Sequence, residues 1–249
     1  MTTPVFLGEN DLHAMLRIVN APDLGDDGEG LPWSTLEGLK ALIPGTLLDF
    51  DGIDVERRWY YFEQNLGEPR YQPDDEEVYW ALYPDSSCSY PERTGDFRSV
   101  TKTTDFCTLR EHRQTPMYVE LSGPLDLDHS MMLCLPDGPG RQLRLLIHRG
   151  RTDPDFSERD RAMFILLRPH LHAAHLQVRR RRLGIPVLTP RQWELMRLVG
   201  AGFSNTQIAR HLHVTENTVR KHLENIFERL QVSSRTAALA RAFPEPALV

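Results

Sequence analysis

Asn217, Arg220, Lys221 and Glu224 recur at spacings of three, one and three, so a helix would carry them on one face, with Glu228 one turn further. These side chains suit base edges in a DNA groove. Arg and Lys donate to guanine, Asn matches adenine, and Glu accepts from the amino group of cytosine. Arg and Lys also neutralise phosphates. The opposite side of the same stretch is apolar: Val219, Leu223, Ile226, Phe227 and Leu230. An ordinary bundle helix with a solvated charged face has the same periodicity, so pattern alone does not separate the two readings.

Other residues of the 249-residue chain could do chemistry and are weighed against plainer roles. His172 and His175 are three apart, with His170 nearby, and could share a face as a metal pair. No Cys or carboxylate adjoins them, so a solvated helix face is the preferred reading and no metal is assigned. Arg179–Arg182 suits phosphates or a plain linker equally well. Cys88, Cys107 and Cys134 are odd in number and far apart, with no paired or zinc-binding spacing. They read as free thiols in a reducing compartment. Cys88 as a redox or chromophore attachment point is set against a small buried residue. Glu9, Asp11, Asp49 or Asp51, and Lys102 follow the order of a phosphate-accepting receiver domain. A receiver is a parallel sheet with near-continuous apolar strands. No such strand lies between Ala21 and Ser34, and a hairpin over 130–148 has no place in it. A phosphorylation-controlled response regulator with a divergent receiver therefore stays as the alternative. In the aromatic set Trp59–Phe62, Tyr79 and Trp80, the residues Trp59, Tyr61 and Trp80 are candidates for a small-molecule ligand. No Ser-His-Asp signature, phosphate loop or cofactor motif stands out, so no catalytic residue or cofactor is assigned, and the expectation is a protein that is not an enzyme.

The elements that position the polar row have their own signatures. Thr189-Pro190-Arg191-Gln192 has a cap, a first-position proline and a capping-box glutamine, which predicts a helix to about Val199. Gly200 and Gly202 offer its left-handed stop. Ser204-Asn205-Thr206-Gln207 is a second capping box ahead of Ile208, Ala209 and Leu212. A two-residue turn, His213-Val214, leads to Thr215 as the third cap, with Glu216 placed for the helix dipole. Ser233 or Ser234 starts the fourth helix, with Leu239 and Phe243 at i, i+4, and Pro244 and Pro246 end it. Two helices joined by so short a turn predict a helix-turn-helix.

The stretch 188–243 closely resembles the C-terminal DNA-binding domain of LuxR-type bacterial transcription regulators. The words that carry the resemblance are Leu188-Thr189-Pro190-Arg191, Gly202-Phe203-Ser204-Asn205, Ile208-Ala209, Thr215-Glu216-Asn217-Thr218-Val219-Arg220-Lys221-His222, Asn225-Ile226-Phe227 and Val232-Ser233-Ser234-Arg235. The resemblance implies that the third helix enters the major groove, with Arg220, Lys221 and Glu224 outward. Ser204, Asn205, Thr206, Thr215, Asn217 and Thr218 complete the expected DNA-binding set. It also implies that the fourth helix dimerises, through Leu239 and Phe243. Glu224 departs from several relatives, which carry a basic residue there.

The net charge of −6 hides an asymmetry. From Arg179 onward there are 12 Lys+Arg against 5 Asp+Glu, a net of +7; residues 1–178 hold 17 against 30, a net of −13. A basic C-terminal part is the footprint of nucleic-acid binding, and an acidic part is repelled by DNA. Two domains are expected, 1–178 and 188–249, joined by a linker over 179–187. No run of eighteen apolar residues predicts a membrane span, and the N-terminus lacks the basic and apolar regions of a signal peptide. A cytoplasmic protein is expected.

In residues 1–178 a helix is predicted over 10–21, capped by Asn10, with Leu12, Met15, Leu16 and Val19 on its face. Asp23–Gly30 reads as a loop, and Ser34 with Glu37 as a capping box before Leu36, Leu39, Leu42 and Ile43. Thr46–Ile53 and Trp59–Glu63 read as a strand pair, Glu76–Tyr83 as a helix, Arg98–Thr101 as a strand, and Asp105–His112 and Met117–Leu121 as short helices. Ser130–Leu135 and Gln142–His148 form a hairpin around Asp137-Gly138-Pro139-Gly140. Ser157 starts a long helix, with Pro169 kinking it. Helices flanking an antiparallel sheet give an α+β domain. The words Cys88-Ser89-Tyr90-Pro91, Arg93-Thr94-Gly95-Asp96, Thr115-Pro116-Met117-Tyr118 and Asp155–Arg161 resemble a GAF-like sensor domain. The whole is then a GAF-like α/β sensor followed by an all-α four-helix LuxR-type domain. The partners expected are double-stranded DNA, a second copy of the chain, a small-molecule ligand of unassigned identity, and RNA polymerase.

Overall fold

The structure is a computed structural model and describes residues 5–21, 29–67, 75–138, 140–186 and 188–243. Parts of the sequence-based expectations lie outside the described residues: Asp23–Gly28 of the acidic loop, Pro139 of the hairpin turn, Val187 of the linker, and Pro244 and Pro246. The chain divides into two compact units, residues 1–178 and 179–249.

The first unit is α+β. Its helices are α1 (Glu9–Val19), α2 (Trp33–Leu42), α3 (Asp75–Leu82), α4 (Tyr90–Thr94), α5 (Leu109–His112) and α6 (Glu158–Arg182), the last continuing four residues past the unit boundary. Its strands are β1 (Leu47–Asp54), β2 (Trp59–Leu66), β3 (Thr101–Lys102), β4 (His129–Pro136) and β5 (Arg141–Arg149). They form one antiparallel sheet in the order β2-β1-β5-β4-β3. Because side chains alternate along a strand, the sheet has two distinct faces. One face presents Leu48, Phe50, Phe62, Met131, Leu133, Leu143, Leu145 and Ile147 to the apolar sides of α1, α2 and α6. The other carries Asp49, Asp51, Ile53, Cys134, Arg144 and His148. There Ile53, Trp80 and Tyr83 form a smaller core with Tyr60, Tyr79 and Cys88. The pairing of β1 with β2 slips between Gly52 and Ile53.

Ser157 caps α6 as expected: Asp160 N donates to Ser157 Oγ (3.2 Å) and Ser157 N donates to Asp160 Oδ2 (2.9 Å). Five local expectations need correction. The cap of α1 is Gly8, not Asn10, because Asp11 Oδ2 accepts from Gly8 N (2.9 Å). Asp11 is also bound by Arg159, so α1 buries Asp11, Met15 and Ile18 and leaves Leu12, Leu16 and Val19 exposed. The chain enters α2 one residue before Ser34, with Pro32 as its cap, so Ser34 lies inside the first turn. The strand expected over Arg98–Thr101 shrinks to β3. Asp96 Oδ1 accepts from the backbone N–H of Arg98 (2.9 Å) and Ser99 (3.0 Å), which holds that segment in a turn. The short helix Met117–Leu121 is a wide π-type turn over Tyr118–Ser122, closed by Gly123 N on Tyr118 O (2.7 Å).

The second unit holds α7 (Pro190–Gly200), α8 (Asn205–His211), α9 (Glu216–Leu230) and α10 (Arg235–Ala242). Their buried residues, including Leu195, Met196, Val199, Ile208, Leu212, Val219, Leu223, Ile226 and Leu230, form one core. Among the described residues no helix is long and apolar enough to cross a membrane.

Candidate nucleic-acid interface

Four caps set the helices of the second unit. Thr189 Oγ1 accepts from Gln192 N (3.3 Å), and Thr189 N donates to Gln192 Oε1 (2.9 Å). Ser204 and Gln207 repeat this geometry at α8 (3.3 and 2.8 Å). Thr215 Oγ1 accepts from Thr218 N (3.1 Å) at α9. Of the two serines at α10 the cap is Ser234, whose Oγ accepts from Ala237 N (3.1 Å). The left-handed stop after α7 is Gly202, at φ +82°. The turn between α8 and α9 is tight because His213 takes φ +55°, which brings Val214 N onto Ala209 O (3.0 Å).

This frame turns the apolar stripe of α9 inward: Val219, Leu223, Ile226 and Leu230 are buried. Asn217, Arg220, Lys221, Glu224 and Glu228 are all exposed on the other side. Arg220 Nη2 lies 3.9 Å from Glu216 Oε1, with both side chains about half exposed or more. Such a surface pair contributes at most about 1 kcal/mol, so it does not tie Arg220 down. The row can therefore meet a polymer laid across α9 without first breaking strong contacts.

The remaining expected DNA-binding residues divide by what they already hold. Thr206 Oγ1 donates to Glu216 Oε2 (2.9 Å), a bridge from α8 to α9. Thr218 shares a hydroxyl contact with Thr215 (2.7 Å). Asn205 is half-buried, and its Oδ1 accepts from Arg235 Nη1 (3.2 Å), while Arg235 also donates to Phe203 O. Asn205 thus ties α8 to α10 rather than facing outward with Lys221. Sequence reasoning missed Arg235 and Glu216 as fasteners of the helix pair, although both lie inside the quoted motif words. Leu239 and Phe243 are half-buried against their own unit's core, Phe243 edge-on to Trp193 (5.8 Å). The exposed side of α10 is Thr236, Ala240 and Arg241, with Leu239 and Phe243 only partly exposed beside them.

The three ligand candidates lie in three different surroundings. Trp59 is 47% exposed. Tyr61 packs toward the large core and donates to Asp137 Oδ2 (2.6 Å). Trp80 is buried on the other face among Tyr60, Tyr79 and Tyr83, with ring centroids 5.2–5.5 Å away. The side chain those aromatics surround is Arg144, 2% exposed, which donates to Tyr79 (3.3 Å), Tyr83, Gln142 (3.3 Å) and Glu92 (2.9 Å). Sequence reading gave no sign of it, because a charged residue in a strand usually faces water. Burial, then the Asp49 and Glu63 carboxylates, push the Asp51 carboxyl well above the usual range. Burial likewise raises the Cys88 thiol, which makes it a poor nucleophile, and raises Cys134 to about 11.

The residues read in receiver order lie apart. Asp11 pairs with Arg159, Asp49 sits 3.2 Å from His148 Nε2, and Lys102 Nζ lies 3.4 Å from Asp155 Oδ2. Two strands separate Asp49 on β1 from Lys102 on β3, and the sheet is antiparallel, so the receiver alternative is not supported. The three histidines differ in their surroundings. His175 is buried with Nδ1 2.9 Å from Gly30 O and its ring stacked on Phe62; His170 is exposed. Burial, then His175, lowers the pKa of His172.

Comparison with known proteins agrees with the C-terminal geometry. Residues 186–242 match the family described as bacterial regulatory proteins, luxR family. The response regulator protein VraR of Staphylococcus aureus is 42% identical over 57 residues, 23% of this chain and 27% of VraR. The HTH-type transcriptional regulator MalT of Vibrio campbellii is 38% identical over 55 residues, 22% of this chain and 6% of MalT. The chain thus spans only a small part of these relatives' length. Among solved structures, SdiA of Escherichia coli is similar at a TM-score of 0.45 and 15% identity, over 96% of this chain and 98% of that one. The LBD domain of VqsR from Pseudomonas aeruginosa is similar at 0.45 and 16%, over 68% of this chain and 94% of that one. The four capped helices, the exposed polar row on the third and the family match cover the same residues, and residues 186–242 belong to the LuxR family of bacterial regulatory proteins.

Proposed function

We propose that the chain is a transcription regulator that binds double-stranded DNA with α9 in the major groove. The observation that carries this reading is the exposed row Asn217, Arg220, Lys221 and Glu224 on a helix whose opposite side is buried. A helix fits the major groove, and each of these side chains matches a base edge or a phosphate there. Thr206, Thr215 and Thr218 stand at the starts of α8 and α9, where helix N-termini favour phosphate. Ser204 serves both as cap and as a phosphate donor.

The regulator works as a homodimer on a two-fold related operator, the arrangement such helices use to read half-sites. The exposed side of α10, with the outer edges of Leu239 and Phe243, supplies part of the contact. Residues 1–178 act as a GAF-like sensor, 179–187 as the linker, and 188–249 as the DNA-binding domain. The sensor takes a small molecule on the sheet face that holds Trp80 and Arg144, with Trp59 and Tyr61 outside that site. Output passes to RNA polymerase in the cytoplasm.

The test is selection of fragments of its own genome by the full-length protein, followed by footprinting. A protected, two-fold related sequence with half-sites about one helical turn apart is the expected result. Uniform binding to every fragment, with no footprint, would contradict it.

A further inference from the structure

The four arginines at 179–182 read equally well from sequence as phosphate ligands or as a plain linker. The structure separates Arg180 from the rest. Its guanidinium carbon lies 3.8 Å from the centre of the Trp193 ring, a close cation–π stack. Stacking occupies the flat face of the guanidinium and leaves its edges for in-plane hydrogen bonds. Two donors on one such edge, Nε and Nη2, are shut off from solvent and have no partner among the described residues. Those two N–H groups are parallel and spaced for two oxygens of one oxyanion.

A buried charged donor without an acceptor is a feature that folded proteins remove unless something outside the chain completes it. No carboxylate does so among the described residues. Among the described residues the charge that acts on Arg180 is Arg197, of the same sign; burial first, and Arg197 second, lower Arg180 to about 10. Arg197 stands four residues after Trp193 on α7, so it projects from the same side of that helix. It is exposed, and its side chain makes no hydrogen bond or ion pair among the described residues.

We infer that Arg180 and Arg197, over the Trp193 ring, form a receptor for one phosphate oxyanion. Two guanidiniums with no counter-charge suit a doubly charged oxyanion better than a single carboxylate. Free phosphate, a small ion, is the favoured source because the donor edge is covered. A phosphate of the DNA backbone has the same chemistry and is the other source, and in that form the inference rests on the function proposed above.

The test uses the full-length chain and Arg180→Gln, Arg180→Lys and Arg197→Gln variants. Thermal unfolding is followed in sodium phosphate and in sodium chloride at matched pH and ionic strength. Phosphate is expected to raise the Tm of the unaltered chain above its chloride value, through binding to the folded state alone. Arg180→Gln is expected to abolish that difference. Arg180→Lys keeps the charge but loses the paired edge, and retains only a small part of it. Separately, duplex affinity is measured against salt. If the anion is a DNA phosphate, Arg180→Gln lowers the slope of log affinity against log salt by about one and weakens all duplexes alike. An unchanged slope in Arg180→Gln, together with loss of its phosphate-over-chloride difference, assigns the site to free phosphate. The inference is overturned if the unaltered chain and Arg180→Gln respond identically in both measurements, even if an acidic protein segment is then found to bind there. Should Arg180→Gln fail to fold, the exposed Arg197→Gln carries the same comparisons. A chain that binds no DNA would defeat the proposed function, while the phosphate unfolding comparison would still decide this site.

Discussion

Asn205 and Lys221 are polar residues of the same helix pair, yet they do different work. Lys221 is exposed, while Asn205 is occupied by Arg235. Arg235→Ala is therefore expected to cost about 1–2 kcal/mol of stability, in line with hydrogen bonds to a charged donor, with little change in base preference. A double-mutant cycle with Asn205→Ala should show coupling between the two; additive effects would show that they act separately. A second residue-scale prediction concerns Asp128, which is fully buried and accepts from Tyr118 and Arg113 (2.8 Å from Nε). Burial raises its pKa, but the Tyr118 and Arg113 hydrogen bonds and the Arg113 and Arg151 charges outweigh this, so the net shift is downward. A carboxyl lowered on folding stabilises the fold above its unfolded value of about 4 and loses that contribution as pH falls through its folded value. Asp128→Asn should thus destabilise the chain by about 2 kcal/mol at pH 7, and the gap to the unaltered protein should close below about pH 4. A gap that stays constant to pH 3 in chemical denaturation would refute this.

At the scale of elements, the chain between α8 and α9 holds a left-handed His213. A non-glycine residue there is strained, so His213→Gly is expected to leave stability unchanged or raise it by up to about 1 kcal/mol, with DNA affinity kept. Thr215→Ala removes the cap of α9 and should cost about 1 kcal/mol. Urea unfolding of both variants checks the pair. All four helices of this unit were legible from sequence because capping is local chemistry: each cap bonds a residue three positions on. The misread elements depend on distant partners. The side of α1 that is buried follows from Arg159 gripping Asp11, 148 residues away, which no periodicity records. Likewise β3 is short because Asp96 draws its neighbours into a turn. The polar row of α9 was readable because its opposite stripe is apolar. Arg144 was not, because its alternating strand gives no sign that one face lies under helices.

For the whole molecule, charge divides as the compact units do, −13 before Arg179 and +7 from Arg179 onward. The proposed domain organisation predicts that residues 183–249 fold alone, since α7 to α10 share a core of their own. Circular dichroism should show a cooperative helical transition for that fragment, and limited proteolysis of the full chain should cut within 179–186. A fragment without cooperative unfolding would refute this organisation. The central claim, that α9 reads DNA, is tested most directly by titrating full-length protein against its footprinted site and an unrelated duplex by fluorescence anisotropy, comparing Arg220→Ala and Lys221→Ala with the unaltered chain. The account predicts that at least one variant loses about 1–3 kcal/mol on the specific site, about 5- to 150-fold, with a smaller loss on the unrelated duplex. Unchanged affinity of both variants for the footprinted site, in protein shown to be folded, would contradict it.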